Sequence, residues 1–306
     1  MNILEKCIAV IIPSYNRIKS ISKVIDSYLT QYGVKQIIII DDCSSEDYSG
    51  FNAYMNKQCK ERNLEYKYIK NKRQYGAAKC RNIGISICAS KNILWGEDDL
   101  FLSNNYAEVL LNKLKENRNT IYFGSIYYGI NVEDSIEKIN SIKSLTELKK
   151  KDVFDYKLLE GYYSKKMIKD VEVPFGHAII MAPKEIYENI KYFENYRVNG
   201  YREESDAQVQ MIGVGYRVMY TSDTECYHLP REKSHKGGQH NTNRFNREMY
   251  IIINNNVFIN RNYKILKSKF SSLPKKNYMK VSFMTNRIVG LTIKMLYKII
   301  FKKSKV

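Results

Sequence analysis

The chain has 306 residues, and 44% of them are hydrophobic, which is enough for a large core and excludes a chain that is disordered throughout. It contains 50 Lys and Arg residues against 32 Asp and Glu residues, a formal net charge of +18. Residues 249–306 hold 13 of these cations and no acidic residue. The first 248 residues hold the other 37 cations and all 32 acids, a balance that argues against a nucleic-acid-binding surface over the whole chain.

The six cysteines form no CxxC pair and no zinc-type spacing, so we expect reduced thiols in a cytosolic protein. Residues 1–7 are too short for the apolar segment of a signal peptide. No apolar run reaches the ~20 residues that a membrane-spanning helix needs. These features predict a cytoplasmic protein that is not integral to a membrane.

Strand and helix patterns alternate over the first hundred residues. Continuous β-branched runs predict buried strands, and apolar residues spaced three to four apart predict helices. The predicted strands are 7–12, 36–40, 65–70 and 92–95, and the predicted helices are 18–32, 51–63 and 77–90. This alternation indicates a parallel, doubly wound α/β sheet.

The pattern is less regular after residue 105. It predicts helices over 106–117 and 203–212, a helix from residue 184, and strands over 120–130, 173–181 and 217–221. Residues 133–170 are charged and show only weak helical periodicity. Residues 230–247 are polar and rich in Gly, Asn, His and basic groups, which predicts a mobile loop.

Acidic residues follow two of the predicted strands. Asp41 and Asp42 end the second strand, and Glu97, Asp98 and Asp99 follow the fourth. In an open parallel sheet ligands bind beyond the carboxyl ends of the strands, so both groups should face one crevice. Acids gathered there repel one another unless a cation lies between them, and Mg²⁺ or Mn²⁺ commonly links such carboxylates to a phosphate. Alternatively, these acids are solvated turn or helix-cap residues.

Four segments, in this order, resemble the inverting family 2 glycosyltransferases of GT-A fold. They are 10–17 (VIIPSYNR), 39–44 (IIDDCS), 73–84 (RQYGAAKCRNIG) and 94–100 (LWGEDDL). The resemblance implies a catalytic domain over 1–248 with a mixed central sheet, followed by a helical basic extension over 249–306. Within that domain it implies a Rossmann-like nucleotide-binding half over about 1–105 and an acceptor half over about 106–248.

The resemblance also implies a site for a nucleotide-sugar donor, with UDP as the nucleotide. Residues 13–16 would line the base with backbone groups, and Asp42 or Asp41 would accept a hydrogen bond from uracil. Arg81 and the Gly76 turn would lie near the ribose or diphosphate. The full set of implied donor-binding residues is Pro13, Ser14, Tyr15, Asn16, Arg17, Asp41, Asp42, Gly76, Ala78, Arg81, Asp98, Arg231 and Lys233.

A metal site follows from the same resemblance. The acidic triplet occupies the place of the family's DxD motif but reads Glu97-Asp98-Asp99. Asp98 would hold the ribose and Asp99 would bind Mn²⁺ or Mg²⁺, with Glu97 as a further ligand, and the departure from Asp-x-Asp leaves the choice of carboxylate open. His228 follows the last core strand, where the family supplies a third ligand; a structural role is the alternative.

Inverting transfer needs a base that takes the proton of the acceptor hydroxyl. Residues 200–206 (GYREESD), followed by a Gly-Tyr pair at 215–216, resemble the family segment that carries this base. The spacing favours Glu204, with Glu203 and Asp206 as alternatives, or else an acidic first helical turn that interacts with the helix dipole. The loop after His228, with Arg231 and Lys233, would close over the diphosphate or is a surface linker.

The C-terminal tail has the pattern of a basic amphipathic helix over 285–303, with Ile288, Leu291, Met295 and Ile299 on one stripe. Such a helix suits an anionic membrane surface. The alternative is a helix that assembles a homo-oligomer or docks a partner. Nucleic-acid binding is not expected, since no aromatic stacking platform accompanies the cations.

These observations predict a metal-dependent inverting glycosyltransferase at the inner face of the cell membrane. Its donor would be a UDP-sugar and its acceptor a bacterial surface polysaccharide or a lipid-linked oligosaccharide. A nucleotidyltransferase of related fold and a catalytically degenerate membrane scaffold are the alternatives. The former usually carries a Gly-rich basic loop after the first strand, where this chain has Ser14-Tyr15-Asn16-Arg17.

Overall fold

The computed structural model describes residues 8–147, 152–196, 198, 200–230 and 243–302. Its strands are β1 (Ile8–Ser14), β2 (Val34–Asp41), β3 (Glu65–Lys70), β4 (Asn92–Trp95), β5 (Leu100–Leu102), β6 (Thr120–Tyr128), β7 (Phe154–Asp155), β8 (Glu160–Gly161), β9 (Val171–Glu172), β10 (Met181–Pro183) and β11 (Arg217–His228). Within the described residues, nine of these strands form a mixed sheet of order β3-β2-β1-β4-β10-β6-β11-β5, and β9 pairs with β11. The helices are α1 (Ile18–Leu29), α2 (Ser49–Glu61), α3 (Ala77–Ile87), α4 (Tyr106–Glu116), α5 (Ile136–Glu147), α6 (Glu203–Gly213), α7 (Arg244–Lys269) and α8 (Lys276–Lys302).

The first hundred residues form the predicted doubly wound unit. β1 pairs in parallel with β2 and β4, and β2 pairs in parallel with β3. The apolar residues of β1 and β2 are almost wholly buried because helices cover both faces of the sheet. All four predicted strands and all three predicted helices are present, and the helices end two to three residues earlier than predicted. The carboxyl ends of β1, β2 and β4 therefore meet at one edge, as the acidic motifs require.

The predicted strand over 173–181 is wrong. Only Val171–Glu172 and Met181–Pro183 are strands, and the residues between them form a buried irregular segment. At Phe175 and Gly176 the backbone bonds to side chains, since the amide of Gly176 donates to Gln208 Oε1 at 2.6 Å and the carbonyl of Phe175 accepts from Tyr163. A Cβ on Gly176 would overlap the ring of Phe123. The run is apolar because it packs in the core, and burial alone does not distinguish a strand from such a segment.

Two other elements of the second half differ from prediction. The helix expected from residue 184 is a single 3₁₀ turn, Lys184–Glu188. β11 continues to His228 instead of ending at residue 221, and its second half pairs with both β6 and β5. This extension places His228 opposite Leu100, beside the acidic triplet.

Two long helices, α7 and α8, follow the sheet. Most of the predicted mobile loop, residues 231–242, lies outside the described residues; Asn243 then caps α7 by accepting from the amide of Asn246 at 2.8 Å. The boundary predicted at residue 248 falls inside α7, and the helix predicted over 285–303 is the later part of α8. In the described part of the chain, no helix is both long and apolar enough to cross a membrane.

Helix α3 packs closely on β1 at Gly84, and this contact gives a stability prediction. A Cβ on Gly84 would overlap the side chain of Ile11, whereas one on Gly50 in α2 would meet nothing within 4 Å. We expect Gly84→Ala to lower the free energy of unfolding by about 1–3 kcal/mol through overpacking. Gly50→Ala, the matched control, should be neutral or stabilising by up to about 1 kcal/mol. Urea denaturation measures both, and equal effects would contradict the close approach.

Candidate functional site

A cavity of about 1070 Å³ opens at the carboxyl ends of β1 and β4. It brings together residues that are far apart in the sequence, from the first strand to the end of β11. The predicted site residues that line it are Pro13, Ser14, Tyr15, Arg17, Asp42, Gly76, Ala78, Arg81, Glu97, Asp98, Asp99, Glu203, Glu204 and His228. Asn16, Asp41 and Asp206 are not in the lining, and Arg231 and Lys233 lie outside the described residues.

The two aspartates after β2 have different surroundings. Asp41 is fully buried and accepts from the amide of Ser44 at 2.8 Å and the hydroxyl of Tyr68 at 2.6 Å. It therefore stabilises the turn and does not reach the cavity. Asp42 reaches it, and its two carboxylate oxygens accept from the backbone amides of Tyr75 and Gly76, each at 2.8 Å. Asp42 thus fixes the Gly76 turn beside the position predicted for the nucleotide.

Asn16 forms the base of the loop that follows β1. It has a left-handed backbone, with φ of 52°, and its amide oxygen accepts from the backbone amide of Ser45 at 2.8 Å. Its own backbone amide donates to Ser44 Oγ at 2.8 Å. These bonds tie the loop after β1 to the loop after β2. Asn16 consequently holds residues 13–15 against the cavity without facing it.

Arg17 lies between two carboxylates of the acidic triplet. Its guanidinium donates to Asp98 Oδ1 at 2.9 Å and also to Asp99 Oδ2. Although burial opposes the charged form, Asp98 and Asp99 raise the pKa of Arg17 above its usual value. Arg17 is therefore a resident cation of the acidic cluster as well as a residue of the cavity wall.

Three groups beside Arg17 have the composition of a metal site. One ligand atom each from Glu97, Asp99 and His228 lies within 4.8 Å of the other two. His228 Nδ1 lies 2.9 Å from the carbonyl of Leu229 and donates to it, which leaves Nε2 unprotonated in the neutral ring, 3.5 Å from Asp99 Oδ1. Two carboxylates and an imidazole suit Mn²⁺ or Mg²⁺. This set matches the three ligands predicted from the sequence.

The acidic cluster is electrostatically costly without a further cation. Burial and the neighbouring Asp99 raise the pKa of Glu97 to about 7, against the opposing effect of His228. Burial raises the pKa of Asp98 to about 6, although Arg17 opposes the shift. Both shifts mean that negative charge is poorly stabilised here, which is the condition under which a divalent cation binds favourably.

Arg81 links α3 to the start of α6 across the cavity. Its guanidinium donates to a carboxylate oxygen of Glu203 and, at 2.9 Å, to Glu204 Oε1. It also lies over the rings of Trp95 and Tyr192, at 5.8 and 5.4 Å from their centroids. The side chain of Arg81 is 4% exposed, so the ion pairs are shielded from water.

The three acids of α6 differ in their access to the cavity. Burial, followed by the charge of Glu204, raises the pKa of Glu203 to about 8, and the 6% exposure of its side chain leaves little access for a substrate. Glu204 is 27% exposed and lines the cavity. Asp206 is fully buried on the other side of the helix, where it accepts from Arg261 Nε at 3.1 Å and from Asn262. Of the three predicted bases, only Glu204 combines contact with Arg81 and an open side.

His177 and Trp95 have structural surroundings. His177 Nε2 donates to the carbonyl of Gly124 at 2.9 Å, and its Nδ1 accepts from the amide of Ile179 at 3.1 Å. Burial lowers the pKa of His177 to about 4, so the ring is neutral at physiological pH, and the residue lines the cavity. Trp95 is fully buried and donates to the hydroxyl of Tyr187 at 2.7 Å.

Part of the cavity wall was not predicted from the sequence. Residues 159–163 (LEGYY), around β8, line it, as does Tyr128, whose ring centroid lies 5.4 Å from that of His228. They fall in or near the segment with weak helical periodicity. The Gly-Tyr-Tyr cluster at 161–163 was the available signal, since a Cβ on Gly161 would overlap the ring of Tyr163.

Several curated proteins are similar to part of this chain. An uncharacterised glycosyltransferase of Rickettsia bellii is 34% identical over 136 residues, which is 44% of this chain and 19% of that protein. A second one, of Rickettsia conorii, is 36% identical over 137 residues, 44% of this chain and 21% of the relative. The glycosyltransferase GlyG of Streptococcus pneumoniae is 28% identical over 127 residues, 40% of each chain. The match thus spans about a fifth of the length of the rickettsial relatives.

Solved structures resemble the whole fold. Crystal structures of S. aureus TarS 1–349 align with TM-scores of 0.53 and, for the complex with UDP-GlcNAc, 0.55. Each alignment covers 94% of this chain and 91% of TarS 1–349, at 13% and 14% identity. At this identity the likeness shows the fold alone, and it confirms the predicted GT-A architecture with C-terminal helices.

A family model confirms the sequence motifs. The model described as glycosyl transferase family 2 matches residues 9–181, more than half of the chain. The matched range includes the loop after β1, the Asp41-Asp42 pair, the Arg81 segment and the acidic triplet. This chain belongs to glycosyl transferase family 2.

Proposed function

We propose that this protein is a metal-dependent inverting glycosyltransferase that uses a UDP-sugar as donor. The observation that carries the proposal is that one cavity holds both a candidate metal site and a candidate general base. A carboxylate–imidazole set that fits a divalent cation lies on one side, and Glu204, held by Arg81, lies on the other. Glu204 also contributes to the raised pKa of Glu97, so the two groups interact electrostatically.

The donor nucleotide would lie against the loops after β1 and β2. Pro13, Ser14 and Tyr15 line this side of the cavity, and Asp42 fixes the Gly76 turn that faces them. TarS, which shares the fold, has been crystallised with UDP and with UDP-GlcNAc, and this supports a uridine nucleotide as the donor. We propose that Asp98 binds the ribose and that Arg17 lies near the diphosphate.

Glu97, Asp99 and His228 would hold Mn²⁺ or Mg²⁺ next to that diphosphate. The ion supplies Lewis-acid stabilisation of the charge on the departing nucleoside diphosphate. Arg17 holds Asp99 by Oδ2, which leaves Oδ1 on the side of His228. The chain thereby fixes the orientation of one carboxylate before any ion arrives.

Glu204 would act as the general base. Its carboxylate takes the proton of the acceptor hydroxyl while that oxygen forms a bond to the anomeric carbon. The bond from the anomeric carbon to the phosphate oxygen breaks, and its electron pair leaves with the diphosphate. Arg81 fixes the carboxylate from the protein side through Oε1, at 2.9 Å. The acceptor would enter along the wall formed by residues 159–163.

The acceptor we propose is a bacterial surface polysaccharide or a lipid-linked oligosaccharide, reached from the inner face of the cell membrane. Support comes from α8, whose two faces differ. Met279 and Phe283 are buried, whereas Val281 and Ile288 are 56% and 47% exposed. An apolar stripe on a tail with 13 cations and no acid suits an anionic lipid surface.

Release of nucleoside diphosphate from a panel of nucleotide-sugars tests the function. We expect turnover of a UDP-sugar with Mn²⁺, loss in excess EDTA, and loss in Asp99→Asn, while Asp223→Asn, an exposed aspartate outside the cavity, retains activity. Full activity in EDTA would overturn the metal assignment. Pyrophosphate release from a nucleoside triphosphate and a sugar phosphate would identify a nucleotidyltransferase. Binding of UDP without turnover of any donor would identify a degenerate scaffold.

The base assignment predicts that substitutions of Glu204 and Asp206, both in the first turn of α6, have different effects. Glu204→Gln should lower kcat at least ~10²-fold with little change in the KM for the donor, because only proton removal is lost. Asp206→Asn should affect mainly thermal stability, since Asp206 pairs with Arg261 away from the cavity. Steady-state kinetics and a thermal melt separate the two effects. If Glu204→Gln lowers kcat only slightly and Glu203→Gln is inactive, Glu203 is the base instead of Glu204.

The membrane assignment predicts a salt-sensitive and an apolar component of vesicle binding. We expect the chain to bind phosphatidylglycerol vesicles, to be partly released at high salt, and to bind at least ~10-fold more weakly as Val281→Ser/Ile288→Ser. Phosphatidylcholine vesicles are the control for charge. Truncation at Met284 should abolish binding and preserve transfer to a short soluble acceptor. If truncation instead splits an oligomer and leaves vesicle binding unchanged, α8 is an assembly helix.

A further inference from the structure

Arg202 lies two residues before Glu204, in an unusual backbone conformation. It precedes the first residue of α6 and has φ of 80°, in the left-handed region that residues with a Cβ rarely adopt. Such a conformation is strained and persists only where the surrounding structure determines it. Arg202 is 7% exposed, so its surroundings are mostly protein, and the rest of the residue lines the cavity.

The side chain of Arg202 binds two segments that are distant in sequence. Its Nε donates to Asn255 Oδ1 on α7 at 2.9 Å, and a terminal nitrogen donates to the carbonyl of Leu159 at 2.8 Å. Leu159 lines the cavity and also has a left-handed backbone, with φ of 53°. One guanidinium therefore connects the start of α6, which carries Glu204, to the opposite wall of the cavity and to the C-terminal helices.

Aromatic rings enclose the same guanidinium. Its central carbon lies 5.0 Å from the ring centroid of Phe175 in the cavity wall, 5.4 Å from that of Phe258 on α7 and 5.7 Å from that of Phe283 on α8. Cation–π contacts of this kind strengthen when the cation is desolvated. Within the described residues, its hydrogen-bond acceptors are an amide and a carbonyl oxygen, not a carboxylate.

We propose that Arg202 is a positioning residue for Glu204 at the start of α6, and that α7 and α8 support the active site through it. The proposal rests on the proposed role of Glu204 as the base. Because Arg202 fixes the backbone immediately before α6, it sets where the first turn of that helix begins. Arg81 then holds Glu204 from the other side. Removal of the guanidinium would leave Glu204 present but free to sample positions in which it does not reach the acceptor.

Removal of Arg202 alone would leave buried hydrogen-bond acceptors without a donor. Asn255 Oδ1 and the carbonyl of Leu159 would both lose their bond to the guanidinium, and loss of one partner of a buried polar pair destabilises a protein. A purely structural role therefore predicts that Arg202→Met is less stable but keeps the kcat of the wild type in its folded fraction. A positioning role predicts a folded protein with a specific loss of kcat, and this difference makes the two roles separable.

The test compares Arg202→Met and Arg202→Lys with a control, Arg287→Met. Arg287 lies on α8, 5.9 Å from the ring centroid of the same Phe283, and pairs with Glu248 on α7 at 2.8 Å. We expect Arg202→Met to lower kcat at least ~10-fold, with KM for the donor and affinity for Mn²⁺–UDP within about twofold of the wild type, and Arg202→Lys to recover part of the loss. Arg287→Met should change none of these values.

Amide hydrogen exchange over residues 200–206 gives a readout that does not depend on activity. It should accelerate in Arg202→Met and not in Arg287→Met. If Arg202→Met does not fold, Asn255→Leu removes the acceptor on α7 and should give the same pattern with a smaller loss. Unchanged kcat and exchange in Arg202→Met, or equal losses in Arg287→Met, would overturn the proposal. If the wild type turns over no donor, the proposed function fails, and accelerated exchange confined to 200–206 would still support the positioning role.

Discussion

The cavity depends on the buried ion pairs of Arg81 with Glu203 and Glu204. α3 belongs to the doubly wound half and α6 to the half that completes the mixed sheet, and Arg81 joins them at one point. A buried guanidinium requires acceptors, and two consecutive acids at the start of α6 supply them. Glu203 is occupied by this contact and almost closed to a substrate, because its side chain is only 6% exposed. Glu204 is left with one oxygen on Arg81 and an open side toward the cavity.

The rest of the site is organised by the same need to balance buried charge. Glu97, Asp98 and Asp99 are gathered at the end of β4, and Arg17 meets two of them from the loop after β1. Burial nevertheless raises the pKa values of Glu97 and Asp98. The protein therefore builds a cluster that its own cations balance only in part, and a divalent ion with a diphosphate completes this balance in the function we propose.

The C-terminal helices belong to this architecture as well as to the surface. On α7, Arg261 and Asn262 donate hydrogen bonds to Asp206, and Asn255 accepts one from Arg202. Their inner faces thus pack on the element that carries Glu204. On the outer face α8 exposes Val281 and Ile288. The pair of helices can both support the start of α6, as we infer, and contact the membrane, as we propose.

Regular periodicity and local motifs made the first half of the chain predictable from sequence. Continuous β-branched runs identified β1, β2 and β4 because strands covered on both faces need no polar alternation. Once those strands were parallel, Asp42, Asp99 and Arg81 had to meet, since ligands bind at the carboxyl ends of such strands. The second half was less predictable because apolar segments such as residues 173–180 are buried without being strands, and at Phe175 and Gly176 the backbone bonds go to distant side chains.

The sequence by itself determined the family, the doubly wound half and the set of acids from which metal ligands and base could be drawn. Only the tertiary structure decided which of these acids are open to the cavity and which are enclosed by other side chains. Asp41 and Asp206 are turned into the core by Tyr68 and Arg261, and Glu203 is closed in by Arg81, while Glu204 stays open. Adjacent carboxylates have the same chemistry in the sequence, and they differ only through the partners and burial that distant segments provide. The link from Arg202 to Leu159, Asn255 and Phe283 has the same origin, since no local pattern records which helices will pack around a side chain.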